Sequence, residues 1–260
     1  MLCVIDIGNT HTVIGLFQKE TLLEHFRVQT SRSKTADEWG FTFKNLFSLQ
    51  NIDMTAVREA AVASVVPPAT AAVVAATRRY FNVAPLIVGP GIKTGLPIRY
   101  ENPREVGADR VVNAVAGYHF AKRAVIVVDF GTATTFDCIS GAGEYLGGVI
   151  TPGVITSLDA LATRTAKLPR VDVGRPRHAI GRNTIESIQS GMLYGYVGLV
   201  DGLVRRLKSE MNDDAAVIAT GGLAEIIAAE SESIETVSPH LTLDGLRLIY
   251  RMNYTETAES

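Results

Sequence analysis

The chain has 260 residues, 47% of them hydrophobic and 20% charged, which is ample for one large core or two smaller ones and too apolar for a disordered chain. Lys and Arg number 25 against 27 Asp and Glu, and this net charge of -2 offers no electrostatic footprint for nucleic acid. The two cysteines exclude a disulfide scaffold and no apolar run is long enough to span a membrane; with no basic stretch ahead of Asp6 to suggest a signal peptide, a soluble cytoplasmic protein is expected.

In chain order, residues 2–6 read as a buried strand running into the turn Gly8-Asn9-Thr10. Strands are expected at 13–17 and 22–28, joined by Gln18-Lys19-Glu20, and a helix from Thr35 to about Leu49. Residues 60–65 form a second buried strand closed by Pro67-Pro68, followed by an Ala-rich helix to about Tyr80 and a strand at 85–88. The loop 89–95 misses the P-loop, because Ile92 rather than Gly precedes Lys93, and misses the dinucleotide fingerprint, because Gly95 falls one residue late. It is a structural turn or a substrate-side loop.

A helix begins at Gly107-Ala108-Asp109-Arg110, with Val111, Val112, Ala114 and Val115 as its apolar face. Two readings of its first turn stand. Asp109 complements the helix dipole, or a strand-like approach over residues 98–103 delivers the pair to a cleft. There Asp109 would accept a hydroxyl proton and Arg110 would bind a carboxylate or phosphate.

The order then restarts. Residues 124–129 are a strongly apolar strand into Phe130-Gly131-Thr132-Ala133-Thr134, with strands around 135–139 and 145–150 and a helical segment after Pro152-Gly153. A long helix runs from Asn183 to about Met211, with Asn183 and Glu186 as an N-cap and N3 pair. Residues 215–220 form a last core strand ending in Gly221-Gly222; two short elements and a tail at 255–260, expected to fray, close the chain.

Asp6-Ile7-Gly8-Asn9-Thr10 and Asp129-Phe130-Gly131-Thr132 both place Asp-x-Gly plus an amide or hydroxyl immediately after a buried strand, and a Thr-rich strand follows each. This repeat gives two related α/β domains, 1–119 and 120–260, meeting near 118–123. A carboxylate at a buried strand end is costly unless it is paired or binds a cation. The neighbouring glycines and hydroxyls supply donors in a tight turn, as phosphate cradles do. One such Asp alone reads as an Asx cap of its turn; two in equivalent places favour a site for a metal-bound nucleotide.

Gly191, Gly195, Gly198 and Gly202 fall along one stripe of the long helix. Each interior glycine costs roughly 1 kcal/mol against alanine, so another backbone is expected to pack close: the sheet of the same subunit, or the same helix of a second copy. The flanking Tyr194 and Tyr196 favour the homodimer. The five histidines have no metal-ligand spacing, no nucleophile elbow is present, and Cys3 and Cys138 sit in apolar strands as small buried hydrophobes.

Taken together, these motifs resemble the type III pantothenate kinase family. The resemblance runs over nearly the whole chain through the two Asp-Gly turns, Gly107-Ala108-Asp109-Arg110, residues 147–153, Gly181-Arg182-Asn183-Thr184, Gln189-Ser190-Gly191, residues 219–222 and residues 241–246. The Asp-Gly turn alone marks only the wider superfamily of acetate and sugar kinases, actin and heat-shock ATPases; Gly-Ala-Asp-Arg with the downstream Gly-Arg-Asn-Thr is specific to the family. The resemblance implies two duplicated ribonuclease H-like (actin-like ATPase) domains, each with a mixed sheet, and a cleft between them. It implies ATP-dependent phosphorylation of pantothenate to 4′-phosphopantothenate, the first step of coenzyme A biosynthesis.

Carried over by position, Asp6, Ile7, Gly8, Asn9, Thr10, His11, Thr12, Val13 and Thr132 would bind ATP, with Mg2+ at Asp6. Asp129 would ligate a monovalent cation, K+ or NH4+, and Asp109 would be the proton acceptor. Tyr100, Gly107, Ala108, Asp109 and Arg110 would bind pantothenate, and Thr184 would reach it from the partner subunit of a homodimer. Other readings keep the superfamily but change the acceptor to another small acid or sugar, make the chain a polyphosphate-hydrolysing relative, or make it a nucleotide-binding regulatory protein without catalysis.

Overall fold

The computed structural model describes residues 1–254; the tail expected to fray, 255–260, lies outside the described residues. The elements of the first half are β1 (Leu2–Ile7), β2 (His11–Gln18), β3 (Thr21–Gln29), α1 (Ala36–Leu49), β4 (Glu59–Ser64), α2 (Pro67–Ala76), β5 (Leu86–Ile87) and α3 (Ala108–Ala121). The second half has β6 (Val125–Phe130), β7 (Ala133–Ile139), β8 (Tyr145–Pro152), α4 (Val154–Arg164) and α5 (Thr184–Met211). It ends with β9 (Ala216–Gly221), α6 (Ala224–Ala228), β10 (Thr236–Val237) and α7 (Leu241–Tyr254).

The two sheets have the same plan. The first is ordered β3-β2-β1-β4-β5 and the second β8-β7-β6-β9-β10. In each, three strands form an antiparallel meander and the last two run parallel to the first strand of that meander. The duplication expected from the two Asp-Gly turns is therefore present in strand order and direction. It is an α/β fold of two mixed sheets.

Of the described residues, one unit comprises Met1–Gly95, Glu101–Ala116 and 242–254; the other comprises Leu96–Tyr100 and Gly117–Leu241. This division differs from a single cut between 1–119 and 120–260 at the C-terminal end, because α7 packs on the first sheet. The Cα of Gly15 on β2 faces Leu243, so that a Cβ there would lie 2.9 Å from the leucine Cδ1. Gly245 packs against the Val112 backbone of α3, too close for any side chain. Asn253 brackets Lys93, accepting from its N–H and donating to its carbonyl, so the loop 89–95 is a turn tied to α7.

Period-two alternation decides what each central strand shows to each face. In the first unit Cys3, Ile5 and Ile7 point into a core with Trp39, Phe43 and Phe47 of α1 and Ala69 and Val73 of α2. Leu2, Val4 and Asp6 point to the opposite face, where Val4 lies with Leu243 around Gly15. In the second unit Ile126, Val128 and Phe130 join the core formed with α4, α5 and α6. Val125, Val127 and Asp129 take the other face, where Val127 fills the space beside Gly117 of α3. Both cysteines are buried, and burial pushes the Cys3 thiol up to about 12, as expected of a small core residue.

Local signals explain the main helix boundaries. Thr35 caps α1 through a complete capping box, its Oγ1 accepting from Glu38 N while Glu38 accepts from Thr35 N at 2.7 Å. Asn183 caps α5 by accepting from Glu186 N at 2.9 Å, but Glu186 reaches back to Arg182 N instead of the cap itself, so the box is half made. The Ala-rich helix ends at Ala76 and continues as a π-helical turn to Phe81, stopped by Asn82 at φ 58°. At the C-terminus, one of the two elements expected to be short is the 14-residue α7, with Leu241, Leu246 and Ile249 buried.

Gly191, Gly195, Gly198 and Gly202 of α5 face open space; a Cβ at any of them would meet nothing within 4 Å. The chain's own sheet is thus not the close neighbour of this stripe. Among the described residues, no helix is long and apolar enough to cross a membrane.

Candidate active site

Asp6 is the last residue but one of β1, and Asp129 the last but one of β6. The two strands share one burial pattern: four buried residues, a half-buried aspartate and a buried apolar residue. Each Asp sits between an antiparallel and a parallel neighbour, Asp6 between Val13 and Ala63 and Asp129 between Thr135 and Thr220. The carboxylates therefore stand at the carboxyl ends of parallel strand pairs, where open α/β sheets bind ligands.

In the first unit the turn after β1 closes with Gly8 N–H donating to His11 O at 3.0 Å and leaves Asn9 and Thr10 exposed. Thr30, just past the end of β3, braces it. Its hydroxyl donates to Gly8 O at 2.7 Å and its N–H donates to Thr10 O at 2.9 Å. Because that one hydroxyl proton is committed to Gly8, the fully buried Thr12 must be the donor in the 2.9 Å contact between the two threonine hydroxyls. The order of donors runs Thr12 to Thr30 to Gly8. His11 opens β2 nearby, and desolvation, with the charge of Arg27 second, holds its imidazole below the ordinary value.

The turn after β6 is one residue shorter and is braced by the start of α4. Gly131 N–H donates to Ala133 O at 3.1 Å, and the Thr132 carbonyl accepts from Gly153 N at 3.1 Å and from the Thr156 hydroxyl at 2.7 Å, both at the start of α4. Gly153 packs directly on the carbonyls of Gly131 and Thr132, with no room for a side chain. At the end of β9, Gly221 has φ 93°, and a Cβ there would lie 2.6 Å from Phe130 O and 2.7 Å from Asp129 Oδ1. Glycine at this position thus keeps open a small oxygen-lined cradle beside the Asp129 carboxylate.

Gly107, Ala108, Asp109 and Arg110 lie together at the start of α3. Asp109 Oδ1 accepts from Arg110 N at 2.8 Å and folds back over Gly107, where a Cβ would collide with it. Asp109 is half-buried and Arg110 is 7% exposed. Tyr100 lies in the other unit, half-buried, with its ring over Gly147 at the start of β8. Thr184 is the first residue of α5 and lines a cavity of about 730 Å³ with Leu161, Leu168, Arg182 and Ile188. Neither Asp129, Thr132 nor Tyr100 lines that cavity.

Sequence reasoning missed Thr30, Thr156 and the role of Gly153. The polar run Thr30-Ser31-Arg32-Ser33 after a strand is a weak hint, but the brace from Thr30 to Gly8 spans 22 positions and has no local signature. Among the described residues no group of three or more His, Cys, Asp or Glu forms a metal cage.

A family model described as type III pantothenate kinase matches residues 2–206. The type III pantothenate kinase of Citrifermentans bemidjiense is 53% identical over 253 residues, covering 97% of this chain and 100% of that protein. That of Myxococcus xanthus is 52% identical over 254 residues, covering 98% of this chain and 99% of that protein. Among solved structures, the activator of 2-hydroxyisocaproyl-CoA dehydratase from Clostridium difficile with bound ADPNP superposes with a TM-score of 0.51 at 11% identity, covering 99% of this chain and 96% of that one. At that identity the likeness is one of fold, the actin-like ATPase type.

The threonine brace makes a direct prediction. Thr30→Val leaves the buried Thr12 hydroxyl without its acceptor and Gly8 O without a side-chain donor, a loss on the order of 1–3 kcal/mol. Urea denaturation followed on Trp39, the chain's only tryptophan and fully buried in this unit, should show that loss and its recovery in Thr30→Ser. A valine variant as stable as the parent would mean that the brace contributes nothing.

Proposed function

The chain belongs to the type III pantothenate kinase family and is a pantothenate kinase of coenzyme A biosynthesis that uses ATP, and we propose that the residues described above divide the work of phosphoryl transfer as follows. The observation that carries this division is the pair of half-buried aspartates at the same place in two sheets of one plan. Asp6 through Val13 hold the phosphates of ATP, with the exposed Asn9 and Thr10 as donors and the threonine brace fixing their backbone. Thr132 contacts ATP from the second turn, whose position the start of α4 fixes.

Two cations fit the donor sets. Mg2+ is habitually held by one or two carboxylates with substrate phosphates and water rather than by an all-protein cage. The single Asp6 carboxylate beside the first turn suits that habit. The oxygen-lined cradle beside Gly221, with Asp129 Oδ1 and Phe130 O, suits a monovalent cation such as K+ or NH4+. Bound there, these ions would neutralise phosphate charge.

Pantothenate is held by Arg110, Gly107, Ala108 and Tyr100. The buried Arg110 supplies a guanidinium for the substrate carboxylate. Asp109 accepts the proton of the 4′-hydroxyl, and the Arg110 N–H donated to its Oδ1 fixes the rotation of the carboxylate. Because the transition state is loose, the base acts late and contributes about 10²–10⁴-fold, the rest coming from positioning and charge. The protein works in the cytoplasm as a homodimer, with the open glycine stripe of α5 as the contact and Thr184 reaching pantothenate in the partner subunit.

Three measurements test these roles. Asp109→Asn should lower kcat by about 10²-fold or more with ATP affinity intact in a nucleotide titration; undiminished turnover would remove Asp109 as base. Asp129→Ala should abolish the response of ADP release to potassium over sodium. A variant that still responds in the ordinary way leaves the cation elsewhere. Gly195→Leu should turn the dimer into a monomer in light scattering, and an intact dimer would exclude the α5 stripe as the contact.

A further inference from the structure

The segment Leu96–Tyr100 precedes the catalytic helix α3 in sequence but belongs to the second unit. It lies beside the start of β8 through a single parallel bridge between Ile98 and Tyr145. Arg99 N–H donates to Tyr145 O at 2.8 Å, and Tyr145 N–H donates to Pro97 O at 2.8 Å. The Arg99 guanidinium also grips Glu144, its Nε 2.9 Å from Oε1.

One residue of β8 therefore holds the backbone on both sides of Ile98, just ahead of Tyr100. The same residue supports the Tyr100 ring: the two tyrosine rings are 6.4 Å apart and tilted by 54°. Gly147, two residues on at φ 126°, completes the seat, since a Cβ there would already lie 3.5 Å from Tyr100 Cδ2 and Cε2.

Tyr145 is itself immobilised. It is fully buried, and its hydroxyl donates at 2.7 Å to Oδ1 of Asp137, which is also fully buried. A carboxylate at the centre of a sheet is costly to desolvate and earns no place in a core for packing alone. Here it lies across the β7–β8 hairpin from the tyrosine and locks the rotation of the ring on which Tyr100 rests.

We infer that Tyr145, anchored by Asp137, is a positioning residue for pantothenate binding, acting through Tyr100. This rests on the role given to Tyr100 above. The test is steady-state kinetics of Tyr145→Phe, which keeps the ring, Tyr145→Leu, which removes it, Tyr100→Leu and the two double variants. Cooperative unfolding is checked for each. Positioning predicts a rise in KM for pantothenate of about three-fold for Tyr145→Phe and about ten-fold for Tyr145→Leu, with kcat and the KM for ATP within about two-fold. In the Tyr100→Leu background neither change should add further, because residues acting through one another are non-additive.

Parental KM values in both single variants, or effects that multiply in the double variants, would overturn the proposal. Should Tyr145→Leu not fold, the Tyr145→Phe pair decides by the same criterion. A parental KM in Tyr145→Phe beside a raised one in Tyr145→Leu removes Asp137 as the anchor. If Tyr100→Leu alone binds pantothenate normally, the role of Tyr100 fails and the proposal fails with it, while Asp109 and Arg110 are untouched.

Discussion

The constraint on which both halves of this molecule depend is a carboxylate one residue before the end of a strand that is otherwise buried on both faces. Alternation gives Asp6 and Asp129 the same face as Leu2 and Val4 or Val125 and Val127, so neither can turn to the other core without flipping its whole strand. Full burial of such a group costs several kcal/mol even after relaxation. Each sheet avoids that cost by ending the strand one residue later and leaving the aspartate half-exposed. The parallel neighbours β4 and β9 end at the same level, opposite Ile7 and Phe130, so the site forms at an end of the sheet and not on its face.

The two turns reach one chemical result by different means. The three-residue turn after β1 is held by hydroxyls, with hydrogen bonds donated in a fixed order from Thr12 to Thr30 to the Gly8 carbonyl. The two-residue turn after β6 is held by the start of α4, through Gly153 and Thr156 on the Thr132 carbonyl. Close backbone approach is what demands glycine at 153 and 221. Duplication preserved strand order and the carboxylate while the bracing diverged.

Asp109, Arg110 and Tyr100 are held by contacts that are rigid for other reasons. Asp109 and Arg110 occupy the first turn of a helix whose next residues are core, so their backbone cannot wander. Tyr100 sits on an irregular segment, and the structure compensates with a bridge, an ion pair and a ring seat on β8.

The sequence by itself determined the strands to within two residues at their ends, the duplicated Asp-Gly turns, the N-caps of α1 and α5 and the start of α3. These depend on period, capping chemistry and turn residues within a few positions of one another. It also contained the family resemblance, because the motifs that carry it are contiguous. It could not choose the neighbour of the glycine stripe, and only the folded chain shows those glycines facing open space rather than the sheet. Nor could it show that α7 returns to the first sheet, that Thr30 braces a turn 22 residues away, or that Asp137 holds Tyr145. Those contacts join residues from different elements, and their partners are decided by which faces the sheets bury. The local pattern of the chain specifies each strand and helix; packing alone decides which of them meet.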